Sequence, residues 1–382
     1  MKLIRIIALV LCIVFIIPVS TACRDSDAAI CTFPDCGSGA QPHINFEAAI
    51  TAFPPDTVML RSGDLTLSWA EFYIVLFDIL INQLVGIYGF EISWDEVIDE
   101  ETLADVVMEY SVNEALTFLV YRYGVSSTGF TMNEQDLAEI TLDIDSYIEE
   151  LGSKEALEEH LRQNSGVYSF EVFENIIILE HSIGLLADNL FGEEGSLFPD
   201  ESVAEYVAEN DLDLLMALHI VWEVEFDDSG APLNAVSQLA EAERVLDILK
   251  GRVNSPDFIE FFKEMMLEHS EDPGRFEAPD GYLFTYDAMV PEFSDTTVGL
   301  NIGELSGIVE TEYGYHIIFR APVNYDSILF TDRGISPASL RQMAAANYFE
   351  SLLLEWRASV NRDLERSPEF YEIDLSRIFA IH

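Results

Sequence analysis

The feature that most constrains this chain is a change of hydrophobic texture at Leu212. Between residues 68 and 210 the apolar side chains recur at helical spacing. The stretch "WAEFYIVLFDILINQLVGIYG" is apolar nearly all round, which predicts a deeply buried helix capped by Ser68. Further helices are predicted over 93–123, over "TMNEQDLAEITLDIDSYIEELG" with Asn133 as cap, and over "SKEALEEHLRQNSG". Two more follow, "YSFEVFENIIILEHSIGLLADNLFG" ending at Gly192 and "FPDESVAEYVAEN". A short strand pair around Ser62-Gly63-Asp64 precedes them all.

After Leu212 the pattern is different. "DLLMALHIVWEVEF" alternates and is rich in strand formers. Two helices come next, then a strand in "YLFTYDAM", a short helix or turn in "VPEFSDTTVGL", and two strands in "GELSGIVETEYGYHIIFRAPV". The order is βααβαββ, which predicts an α+β domain with a four-stranded antiparallel sheet over 211–323. Beyond Tyr325 the chain reads as helix again, so 324–382 is expected to be a C-terminal helical segment.

The N-terminus "MKLIRIIALVLCIVFIIPVSTAC" has two cations, an apolar run and small residues before a cysteine. Residues 1–22 are therefore read as a secretory signal peptide, too short and wrongly flanked for a stable spanning helix. Ser20-Thr21-Ala22-Cys23 resembles a bacterial lipobox without its usual leucine. Lipidation of Cys23 would hold the protein on the outer face of the cell membrane; cleavage that leaves Cys23 unmodified is the alternative. Residues 23–55 are polar, lack periodicity and end in Pro54-Pro55, the mark of a flexible tether. Cys31 and Cys36 stand close enough for a small disulfide loop in an oxidising compartment, and a metal site with His43 lacks a fourth ligand. All four cysteines lie in the first 36 residues, so the folded body depends on packing alone.

The charge balance narrows the partners. Asp and Glu number 69 against 19 Lys and Arg, for a net charge of −50. Such a surface repels phosphate backbones, which excludes a nucleic-acid binder; it reads first as a surface for solubility, and any partners it attracts would be basic or unfolded polypeptides. Runs such as Glu100-Glu101 and Glu158-Glu159 read as solvated helix faces, and His160 and His181 have no ligand spacing. There is no Gly-rich phosphate loop, nucleophile elbow or HExxH, so neither a cofactor nor a metal is expected.

Within 212–323 several short motifs occur in order. "ALHIV" carries His219, "HSED" carries Asp272, "AMVPEF" carries Met289 and Phe293, and "GELSGIVETEYGYHII" carries Thr311 and His316. Together they resemble the parvulin-type peptidyl-prolyl cis–trans isomerases. The helical flanks resemble those of PrsA-like lipoprotein foldases and SurA-like chaperones. The resemblance implies that 56–210 is a chaperone domain with 324–382 packed on it, and that 211–323 is an inserted isomerase domain. It also implies a catalytic set of His219, Asp272, Met289, Phe293, Thr311 and His316. Met289 and Phe293 would seat the proline ring, and the two histidines, bridged to each other on adjacent central strands, would frame it. Asp272 would act on the electrostatics at the amide. The family's Gly-Gly is replaced by Pro279-Asp280-Gly281, which leaves Tyr282 or Phe284 as the third wall. The loop "EFDDSGAP" is acidic, so no preference for phosphorylated substrates is expected.

Taken alone, either histidine would be read as a satisfied core residue, and Met289 as ordinary packing. The constellation favours a folding factor that isomerises X–Pro bonds of unfolded or secreted polypeptides, and a homodimer is compatible with it. The alternative is a holdase whose parvulin-like domain only binds. A transporter's binding lipoprotein would need two lobes of repeated strand–helix units, which 56–210 lacks.

Overall fold

The computed structural model describes residues 46–88 and 92–379. The signal peptide, most of the tether, Cys23 and the Cys31/Cys36 pair lie outside the described residues. Contacts divide the chain into two units, one formed by residues up to 190 together with 349 onward, the other by 191–348. No helix among the described residues is long and apolar enough to cross a membrane.

In the first unit the expected strand pair is Val58–Ser62 and Leu65–Ser68, turned at Gly63. A third strand, Leu364–Arg366, pairs antiparallel with Val58–Ser62. Ser68 ends its strand and caps the helix Trp69–Asp78: its hydroxyl accepts from the Glu71 N–H, and the Glu71 carboxylate accepts from the Ser68 N–H. The helix runs on through a π-helical turn, Ile79–Leu84. Trp69, Phe72 and Tyr73 are wholly buried, which is why this stretch has no polar face. The helix predicted over 93–123 starts later. Residues Val97–Ile98 and Glu101–Thr102 form a tight two-stranded ladder, and Leu103–Thr128 begins at Thr102. Thr102 wins because it forms a reciprocal capping box with Asp105, which satisfies two backbone N–H groups. Helices Glu134–Leu151, Lys154–Ser165 and Phe170–Phe191 follow at the predicted places.

The second unit opens with helix α1 (Asp200–Glu209) and then strand β1 (Leu214–Glu223). Next come α2 (Ala235–Lys250), α3 (Phe258–His269), β2 (Tyr282–Thr285) and α4 (Pro291–Gly299). The strands β3 (Leu305–Thr311) and β4 (Gly314–Arg320) complete the βααβαββ order. These four strands lie β2-β1-β4-β3 and are antiparallel to one another.

The sheet does not stop there. Residues read as helical supply two more strands, β5 (Ile328–Thr331) and β6 (Gly334–Ser339), so the sheet has six strands in the order β6-β5-β2-β1-β4-β3. β5 runs parallel to β2, with Phe284 opposite Phe330. The second unit therefore continues past residue 323, and the helix Leu340–Arg362 starts only after β6. "ILFTDRGI" is short, and its strand state depends on the open edge of β2, which only the folded sheet provides.

Both faces of the central strands are covered, which explains their nearly unbroken apolar runs. On one face Phe319 of β4 meets Phe258 and Phe262 of α3 at ring distances of 5.1 and 5.9 Å. On the other, Leu215, Ala217, Phe284 and Ile318 form a cluster with Phe293 of α4. Period-two alternation puts His219 and His316 on this α4 face as well.

Candidate active site

Strand register brings the two histidines together. His219 of β1 is opposite Ile318, and Val221 is opposite His316 of β4, so the imidazoles are diagonal neighbours on one face. Their Nδ1 atoms are 3.3 Å apart, and the rings lie 22° from parallel. Gly314 starts β4 at φ +142°, where a side chain would collide with the Trp222 carbonyl; this close approach sets the hairpin that carries Thr311 and His316.

Asp272 arrives by a different route. Beyond Ala217, β1 has no β2 partner, and the segment after α3 fills that edge. The Glu271 N–H donates to the Val221 carbonyl at 2.9 Å, and the Val221 N–H donates to Ser270 Oγ at 3.2 Å. This docking puts Asp272 Oδ2 2.8 Å from His219 Nε2. The Tyr282 hydroxyl donates to the same oxygen at 2.8 Å, and the Gly274 N–H donates to Oδ1 at 2.8 Å. A side chain at position 274 would strike the Tyr282 hydroxyl, so glycine is what lets Tyr282 reach the carboxylate.

The hydrogen on His219 Nε2 follows from this carboxylate. Burial opposes the charge on Asp272, but donors from His219, Tyr282 and Gly274 hold its carboxyl well below the usual range. An ionised carboxylate only accepts, so His219 Nε2 carries a hydrogen. Burial first, then the neighbouring His219, push His316 down to about 3, so this imidazole is neutral at physiological pH. His219 Nδ1 thus faces His316 Nδ1, and His316 Nε2 lies 2.8 Å from the Thr311 hydroxyl. One hydrogen-bonded chain results, linking Thr311, His316, His219 and Asp272, with Tyr282 joining at the carboxylate. Every member is paired, which matters because an unpaired buried group costs about 1–3 kcal/mol.

The apolar wall stands beside this chain. The Phe293 ring meets His219 edge-on at 5.2 Å and His316 edge-on at 5.9 Å, and lies tilted against Phe284 at 5.7 Å. Phe293 is 3% exposed, whereas Met289 and Tyr282 are only half-buried against the same cluster. Asp272, His219, His316 and Thr311 thus form one network, Phe293 packs on its rings, and Met289 belongs to the adjoining wall. The sequence marks Tyr282 only as a possible wall; its hydroxyl bond to Asp272 depends on a register and a glycine that no local pattern reveals.

Comparison with known proteins decides what kind of domain this is. Residues 229–321 match the rotamase family, described as the PPIC-type PPIASE domain. This segment is a parvulin-type rotamase domain. The match includes Asp272, Met289, Phe293, Thr311 and His316, while His219, on the preceding strand, joins them through the hydrogen-bond chain. The chain is 30% identical to the foldase protein PrsA of Halalkalibacterium halodurans over 234 residues, 60% of this chain and 62% of that one. It is 37% identical to foldase protein PrsA 4 of Bacillus cereus over 101 residues, 26% and 35% of the two chains. The chain thus spans less than two thirds of these relatives' length. Among solved structures, PrsA from Bacillus subtilis aligns over 71% of this chain and 93% of its own, at 19% identity and a TM-score of 0.26. The foldase protein PrsA from Lactococcus lactis aligns over 84% and 99%, at 8% identity and a TM-score of 0.28.

Proposed function

We propose that the chain is an extracytoplasmic folding factor that speeds cis–trans isomerisation of X–Pro bonds in secreted polypeptides. A lipidated Cys23 would hold it on the outer face of the cell membrane, and the helical unit would cradle unfolded clients. The observation that carries this reading is the hydrogen-bonded chain linking Thr311 to Asp272 beside the half-buried Met289 and Tyr282.

The barrier to rotating an amide is about 18–20 kcal/mol, because resonance gives the C–N bond partial double-bond character. X–Pro bonds therefore exchange over tens to hundreds of seconds, slowly enough to limit folding. Catalysis needs only a site that binds the twisted amide better than either planar isomer. Twisting makes the nitrogen more basic and takes charge off the carbonyl oxygen. An apolar seat for the ring and a fixed array of hydrogen-bonding side chains suit that change. The network keeps Tyr282 and the histidines in single orientations, so little reorganisation accompanies the twist.

One observation favours the second reading, a holdase whose rotamase domain binds without catalysing: Phe293 is nearly fully buried and offers a proline ring little surface. Exchange NMR on proline tetrapeptides with the full chain separates the two. Accelerated exchange is expected; unchanged exchange, with suppressed aggregation of an unfolded client, would establish the holdase instead.

A further inference from the structure

The strands β5 and β6 lie beyond the segment that matches the rotamase family, yet they extend the sheet on the side of Tyr282. Phe330 of β5 meets Tyr282 edge-on at a ring distance of 4.9 Å and packs on the same cluster as Met289. The pairing of Phe330 with Phe284 places it on the α4 face, and the pairing of Ile335 with Phe330 places Ile335 there too. The same alternation puts Ile328 on that face. Ile328 is 44% exposed and Ile335 63%. Two exposed aliphatic side chains on either side of a half-buried phenylalanine make an apolar shelf on an otherwise strongly acidic protein.

We propose that Ile328, Phe330 and Ile335 form a subsite that takes an apolar side chain of the client next to the X–Pro bond held at Tyr282 and Met289. The inference rests on the prolyl-isomerase reading and deepens it, because it names the client class. The occupant is a residue of the same client segment because the shelf is continuous with the candidate site through the Phe330–Tyr282 contact. A proline ring seated beside Tyr282 leaves its neighbours in the client chain within one or two residue lengths of the shelf, at about 3.3–3.6 Å per extended residue. A glutamate neighbour would gain no apolar burial on the shelf and would approach a protein of net charge −50. Leucine or phenylalanine beside the proline is therefore favoured over glutamate.

The test uses the full chain and proline tetrapeptides that differ only in the residue before or after proline: leucine, alanine or glutamate. Isomerisation rates come from exchange NMR and affinities from titration of the same peptides. For the parent, a leucine peptide is expected to exceed the glutamate peptide by about tenfold in kcat/KM and in affinity. In the double variant Ile328→Ser, Ile335→Ser that ratio falls to about twofold or less. Leu142→Ser, at a leucine exposed to a similar degree in the first unit, keeps the parental ratio. An unchanged ratio in the double variant overturns the subsite, and so does a drop in mass from dimer to monomer on the same substitutions, which would make the shelf a contact between two copies. Affinities that track the neighbouring residue without any acceleration would keep the subsite and remove the isomerase reading.

Discussion

In the first unit the Glu71 carboxylate is held by Arg122 and Ser68; in the second the Asp272 carboxylate is held by His219 and Tyr282. Both carboxylates are largely buried and fully engaged. Their partners differ in kind. Arg122 is permanently charged and has no lone pair, so its hydrogens have a single arrangement. It also donates to the Thr66 carbonyl at 2.7 Å, which ties the Ser68 cap to the preceding strand, and the aromatic side chains following that cap are wholly buried. His219 and His316 can each donate or accept, and half-buried Met289 and Tyr282 adjoin them. A buried polar network is thus no mark of a site. Ambivalent donors beside an apolar wall that reaches solvent make the second network the candidate.

The largest effect should come from the second network. Asp272→Ala leaves the His219, Tyr282 and Gly274 donors without their acceptor, and kcat/KM for a proline tetrapeptide should fall about thirtyfold, the equivalent of roughly 2 kcal/mol. An undiminished rate would reduce this network to the same structural standing as the first. Next, Glu71→Ala removes a cap and strands the Arg122 charge, so denaturation should show the first unit less stable by about 2 kcal/mol. The folded fraction should keep its isomerase rate; a rate loss matching that of Asp272→Ala would erase the distinction.

The sharpest contrast is with pH. His316 has its pKa pushed from 6.5 down to about 3, so the unfolded chain takes up a proton there first. The second unit therefore loses stability as pH falls below about 6.5, and Asp272 adds a loss in the same direction below its ordinary 3.8. Glu180, on the helix Phe170–Phe191, is pushed by burial from 4.5 up to about 7. The unfolded chain releases that proton first, so the first unit gains stability as pH falls from about 7 to 4.5. Hydrogen exchange at matched intrinsic rates should show protection in β1 and β4 declining on acidification while protection in Leu103–Thr128 rises. Parallel changes in both would contradict the assignment.

Much of the second unit was legible because its elements are local. The βααβαββ order follows from period and turn chemistry, and the motif resemblance singled out His219, Asp272, Thr311 and His316, which the structure joins in one hydrogen-bonded network. The hairpin of β5 and β6 was not legible. Its strands are short, one contains Pro337, and a strong helical pattern follows at Leu340. The short apolar run "ILF" before Thr331 and the turn residues Asp332-Arg333-Gly334 was the available signal, but a strand of that length forms only against a partner already in place. The helix start at Thr102 was legible in "TLAD", a capping box that the run from residue 93 obscured.

By itself, the sequence determined which residue types were available: two histidines in apolar strands, an aspartate after a helix, an apolar wall, and a body without cysteine that must be held by packing. The tertiary structure decided which of them meet. Tyr282 reaches Asp272 only because β2 pairs with β1 in one register and position 274 has no side chain. Phe330 reaches Tyr282 only because β5 adds to β2 in parallel. Such contacts depend on pairings between segments far apart in the chain, whose closure entropy is overcome only when the whole sheet assembles, and no local pattern encodes that.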